Sequence, residues 1–187
     1  MADNTNHSRQ SSKVALKISL VAILTAVVVV FTMVPKIATP VVKGYISLCD
    51  VVICFAAFLF GPWVAAIAGG LGSALADLLG GYAQWAPFSL IVHGLQGMIM
   101  GCIALPTKKK NQTTLNTPVW RMALAGVVGM VVMVAGYYLT ASLFYGFEPA
   151  LVEVPLNLLQ SGVGVIIGII VAKSTVLAYP PVLSFMR

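Results

Sequence analysis

Residues 148–172 read EPALVEVPLNLLQSGVGVIIGIIVA, and this one stretch carries two patterns at once. Its second half is an unbroken apolar run, of the kind that crosses a bilayer as a helix. Its first half places Glu153, Asn157 and Gln160 at i, i+4 and i+7, one stripe on one helical face. A membrane helix that lines up a carboxylate and two amides at one end reads as a wall facing protein or a watery cavity rather than lipid.

The rest of the chain supports the membrane reading. Its 187 residues are 59% hydrophobic and 9% charged, with mean hydropathy +0.98. Soluble domains carry about a quarter charged residues, so this chain lacks the polar surface to cover a water-facing globule. Apolar runs of helical length occur at roughly 14–34, 46–60, 62–80, 86–105, 119–145 and 151–177. The expectation is an all-α, six-helix transmembrane bundle over 13–187, preceded by a disordered polar tail over 1–12. The second run is short, and Gly61-Pro62 separates it from the third as either a re-entrant hairpin or two tilted spans. A β-barrel would show short alternating segments instead.

Basic residues orient the bundle. With both termini cytoplasmic, Arg9, Lys13, Lys17, Lys108, Lys109, Lys110, Arg121, Lys173 and Arg187 fall inside, and only Lys36 and Lys43 outside. This bias follows the positive-inside rule, so the net charge of +6 reads as a topology signal and not as a nucleic-acid surface. The first apolar run is too long for a signal-peptide core and lacks a small-residue cleavage site, so it reads as a retained helix. Cys49, Cys54 and Cys102 have no metal-like spacing and read as small buried hydrophobes. His7 lies in the tail and receives no role.

On this topology Asp50, Asp77, Glu148 and Glu153 gather near the outer membrane face. Helix four presents Ser89, His93 and Gln96 on one face, reaching about 15 Å below the helix start. Helix five ends with Tyr138, Ser142 and Tyr145 on one face, and the loop before helix four contributes Gln84 and Trp85. Three polar stripes at one depth on one side predict an outward-opening pocket for a small, flat, polar heterocycle, lined by Gln84, Trp85, Ser89, His93, Gln96, Tyr138, Glu153, Asn157 and Gln160. The plainer readings are belt aromatics at the interface and polar side chains that only tie helices together. Pro155 is expected in the first turn of its helix, where the missing N–H matters little. The chain has no Walker motif, HExxH or nucleophile elbow, so neither catalysis nor a resident cofactor or metal is expected. Small residues recur in stripes: Ala15, Ser19, Ala22 and Ala26, with Ala22 and Ala26 the core; Ala65, Gly69 and Ser73, continued at the same spacing of four by Asp77 and Gly81; Ala125 and Gly129; Gly164, Gly168 and Ala172. The last three sets fit internal packing; the first lies away from the pocket, where a partner could dock.

These features together resemble a known family. ISLCDVVICFAAFLFGPWVAAIAGGLGSALADLLGG (46–81), with its FGP turn, PFSLIVHGLQGMIMG (87–101) and EVPLNLLQSGVGVIIG (153–168) look like segments of the substrate-binding S components of energy-coupling factor (ECF) transporters. The resemblance implies capture of a vitamin at the outer face of the bacterial plasma membrane. It implies a lid formed by the loop 35–45, and docking through Ala22 and Ala26 onto a membrane coupling subunit. Energy would come from two separate cytoplasmic ATPase subunits, which use the ATP. Among S components the chain looks most like those for hydroxymethylpyrimidine or pyridoxine-type vitamers, leaving thiamine and queuosine precursors open and giving no reason to choose riboflavin or biotin. A self-sufficient secondary transporter is the alternative; it would need polar groups through the full membrane thickness.

Overall fold

Apolar runs with few charges favour helices in a bilayer, because a helix satisfies its own backbone hydrogen bonds. The computed structural model describes residues 2–39, 41–104 and 117–185. It contains α1 (Ala2–Met33), α2 (Cys49–Phe60), α3 (Pro62–Leu79), α4 (Ala86–Ala104), α5 (Val119–Tyr145) and α6 (Phe147–Ala178). A two-residue hairpin, β1 (Ile37–Ala38) antiparallel to β2 (Tyr45–Ile46), joins α1 to α2, and a 3-10 turn over Pro180–Phe185 closes the described chain. Lys108, Lys109, Lys110 and Arg187, which bear on the orientation, lie outside the described residues.

Five helices are long and apolar enough to cross a membrane: Val14–Met33 within α1, then α3, α4, α5 and α6. The expected sixth, α2, has 12 residues and is about 18 Å long, short of a hydrocarbon core of about 30 Å. It is instead the centre of the bundle. All but Phe55 of its residues are buried, and Ile53, Cys54, Phe58 and Leu59 form the heart of the main core. The α1 helix begins at Ala2, so it takes in the stretch expected as a disordered tail; the apolar span itself starts at Val14.

Gly61 (φ 88, ψ −175) and Gly146 (φ 89, ψ 169) are one-residue hinges, between α2 and α3 and between α5 and α6. Both occupy backbone space that is essentially restricted to glycine. Pro62 then starts α3, where its missing N–H costs nothing. The small-residue stripes on α3, α5 and α6 are buried as expected. A Cβ added to Gly97 of α4 would stand 2.7 Å from the Ala65 carbonyl oxygen of α3, and one on Gly70 would stand 2.6 Å from the Leu90 carbonyl of α4. Gly164 and Gly168 press α6 against Asp50 and Cys54 of α2.

Large apolar side chains such as Ile18, Ile23, Trp63, Leu143 and Leu177 cover the outside of the bundle. A water-facing monomer rarely exposes so much apolar surface, which suits lipid. Cys102 also faces outward, unlike the buried Cys49 and Cys54. At one end of the bundle Arg121 Nε donates to the Ile103 carbonyl (2.7 Å) and Lys173 Nζ to that of Thr117 (2.8 Å). The opposite end gathers the hairpin, the C-termini of α1, α3 and α5, and the N-termini of α2, α4 and α6.

Candidate substrate-binding site

That second end holds a cavity of about 50 Å3, room for roughly three to five waters where one needs 10–15 Å3. Every helix contributes to its wall, among them Thr32 of α1, Cys49 of α2, Ser73 and Asp77 of α3, and Tyr137 of α5. The hairpin folds over it and adds Val42, Gly44 and Tyr45, pinned by the Thr39 N–H donating to the Gly44 carbonyl at 2.9 Å.

Of the nine side chains expected from sequence, Trp85, Ser89, His93, Glu153, Asn157 and Gln160 line the cavity. Gln96 sits one layer deeper and is fully buried. Gln84 is exposed in the loop before α4. Tyr138 does not line the cavity and packs instead against the cluster of Val42, Trp85, Ala141 and Ala150, while its neighbour Tyr137 takes the wall, its hydroxyl 2.7 Å from Ser89 Oγ. That bond and the His93–Gln96 bond draw Ser89 and His93 to different partners. Tyr45, Ser47, Cys49, Ser73 and Asp77 also line the wall, beyond the nine residues expected from sequence. Ser73 and Asp77 share the α3 face of Gly69, a period-four signal that extends the small-residue stripe into the site.

Beneath the wall lies a closed polar network. Asp50, fully buried at the start of α2, accepts from Gln96 Nε2 at one oxygen and from Gln160 Nε2 at the other (2.7 Å). Ser161 Oγ reaches the first oxygen at 3.4 Å. Gln160 Oε1 accepts the Ser47 backbone N–H at 2.7 Å, and Gln96 Oε1 is 2.7 Å from His93 Nδ1. Three helices and the segment that follows the hairpin are thus tied through one carboxyl group, whose burial requires such partners.

The wall differs, because four of its buried polar atoms have no hydrogen-bond partner among the described residues: Ser73 Oγ, Asp77 Oδ2, Trp85 Nε1 and Glu153 Oε1. Each belongs to a residue no more than 5% exposed. Orphaned buried groups cost about 1–3 kcal/mol each, and these four, two acceptors, a donor and a hydroxyl, all belong to residues that line the one cavity. The other oxygen of Asp77 accepts from Tyr45 Oη at 2.5 Å. Burial first, and then the Asp77 carboxylate, push the Tyr45 phenol far above its ordinary range, so it stays a donor. Lys36 Nζ lies over the Tyr82 ring (3.9 Å) and the Tyr45 ring (4.5 Å) and reaches the Gly80 carbonyl at 3.4 Å. These contacts fasten the hairpin to the α3–α4 turn. Trp85 packs on Phe144, Tyr137 and Tyr145, giving the cavity an aromatic side.

Pro155 lies inside α6 rather than in its first turn, because the helix starts at Phe147. The ring removes one helical hydrogen bond beside the site-facing Glu153 and Asn157.

The family profile for the ECF-type riboflavin transporter S component matches residues 13–177. The chain belongs to the ECF S-component family. A curated relative from Lactococcus lactis subsp. cremoris (strain MG1363), the thiamine precursor transporter HmpT, is 36% identical over 158 residues, covering 84% of this chain and 83% of the relative. A second, an uncharacterized protein in a gap 3' region of Pyrococcus woesei, is 40% identical over 141 residues, 75% of this chain and 88% of the relative. The S component is therefore a multi-pass membrane transport subunit, not an enzyme, and its family works in vitamin uptake with ECF partners.

Proposed function

We propose that this S component captures a one-ring heteroaromatic vitamin or precursor, of the hydroxymethylpyrimidine or pyridoxine class, on the extracellular side of the membrane. The observation that carries this reading is the set of orphaned polar atoms, Asp77 Oδ2, Glu153 Oε1, Trp85 Nε1 and Ser73 Oγ, around one small aromatic-sided cavity. A single substituted ring with an amino or hydroxyl donor and ring-nitrogen acceptors answers those atoms. The name of the relative HmpT points the same way.

Both termini are cytoplasmic on this reading, since Arg121 and Lys173 lie at the end away from the cavity and Lys36 and Lys43 lie beside it. Delivery goes through a membrane coupling subunit driven by two ATPase subunits. Ala22 and Ala26 support this: both are exposed, and they line an apolar groove with Ile67, Leu71 and Leu75 of α3. Purified S component titrated with hydroxymethylpyrimidine, pyridoxine and riboflavin, alongside mass spectrometry of the molecule that copurifies, tests the assignment. Tight binding of riboflavin with no binding of either one-ring compound would overturn it.

A further inference from the structure

We propose that Asp50, which does not line the cavity, is a positioning residue that sets the hydrogen-bonding polarity of His93 within it. The Ser47 backbone N–H can only donate. It holds the Gln160 Oε1 atom at 2.7 Å, so the Gln160 amide must turn its NH2 to Asp50. As a carboxylate Asp50 would only accept, and in the structure Gln96 indeed turns its NH2 to it and presents Oε1 to His93. His93 Nδ1 must then carry the proton. In the neutral ring the other nitrogen, Nε2, is bare. Nε2 lies 3.8 Å from Sγ of the cavity-lining Cys49, whose S–H is only a weak donor, so at this wall the ring presents an acceptor rather than a donor.

Every bond in this chain has a fixed direction, and one atom exchange at its far end reverses part of it. In Asp50→Asn the new carbonyl must face Gln160, whose orientation Ser47 holds, so the new NH2 faces Gln96. Gln96 then turns over, its NH2 points at His93 Nδ1, and the ring's proton moves to Nε2. The cavity wall changes from acceptor to donor without any change in side-chain size. Adding Gln96→Glu restores an acceptor-only group between the introduced amide and His93, and so returns the proton to Nδ1.

The measurement is the imidazole 15N spectrum of the full chain, purified in detergent through a tag that contains no histidine, in a His7→Ala background that leaves His93 as the one histidine. Wild type should show the Nδ1–H tautomer, Asp50→Asn the Nε2–H tautomer, and Asp50→Asn with Gln96→Glu the Nδ1–H tautomer again. An Nε2–H ring in wild type overturns the proposal, whether or not the variants fold. So does a folded Asp50→Asn protein with an unchanged tautomer. The consequence for ligand rests on the proposed function of the cavity. Hydroxymethylpyrimidine should bind Asp50→Asn about tenfold or more weakly, as a mispaired buried hydrogen bond implies, and should regain affinity in the double variant. Unchanged affinity with a reversed tautomer would remove His93 Nε2 from ligand contact. A wild-type protein that ignores the pyrimidine but shows the expected tautomers would count against the proposed ligand, not against the relay.

Discussion

Replacing Asp77 by Asn separates the two tasks assigned to that carboxylate. The side chain is 2% exposed; one oxygen accepts from Tyr45 Oη at 2.5 Å and the other has no partner among the described residues. Asparagine keeps the shape and can keep its carbonyl on the Tyr45 hydroxyl, so the hairpin stays fastened by a neutral bond. That loss is worth about 1 kcal/mol, the difference between charged and neutral hydrogen bonds. On the cavity side an acceptor becomes a donor, and a ligand amino or hydroxyl group then meets an NH2. The mispairing costs about 1–3 kcal/mol. The change should therefore weaken hydroxymethylpyrimidine binding by about 1–3 kcal/mol, or roughly 5- to 150-fold in Kd. Stability without ligand should change little, because the weaker Tyr45 bond is offset by removal of a buried, half-satisfied carboxyl group. Isothermal titration in detergent gives the first quantity and the melting temperature of the ligand-free protein the second. A folded Asp77→Asn protein whose Kd stays within about threefold of wild type, well under one hydrogen bond's worth, would refute the assignment of Asp77 to the ligand.

Other outcomes follow from the same geometry. Tyr137→Phe should weaken binding about fivefold, one neutral hydrogen bond's worth, while Tyr138→Phe leaves titrations unchanged; the reverse ranking would put the wrong tyrosine in the wall. Gly97→Ala would push a methyl against the Ala65 carbonyl across the α3–α4 seam. Overpacking of about 1–3 kcal/mol should lower the melting temperature by about 2–12 °C, measured by thermal unfolding in detergent. Ala22→Leu with Ala26→Leu should abolish copurification with the coupling subunit and uptake by cells, yet leave pyrimidine titrations of the isolated S component intact. Uptake that survives the double change would move the docking surface elsewhere.

Composition and periodicity alone give the solvent, the helices and the end of the bundle where the polar side chains gather. Long apolar runs have few other solutions in a bilayer, and polar stripes on α4 and α6 share one end whatever the packing. Six of the nine expected site residues reach the cavity for that reason. Rotation and depth come from packing instead. A helix turns 100° per residue, so periodicity places a tyrosine on α5 near the site, and only packing against Ser89 and Trp85 selects Tyr137 over Tyr138. The 12-residue α2 reads as a poor span in sequence; its burial among α1, α3, α4 and α6 makes it the core, and carries Asp50 beneath the site. Asp50, Gln96 and Gln160 come from three separate helices, and a hydrogen-bond network that closes across such distances leaves no mark on any one local pattern.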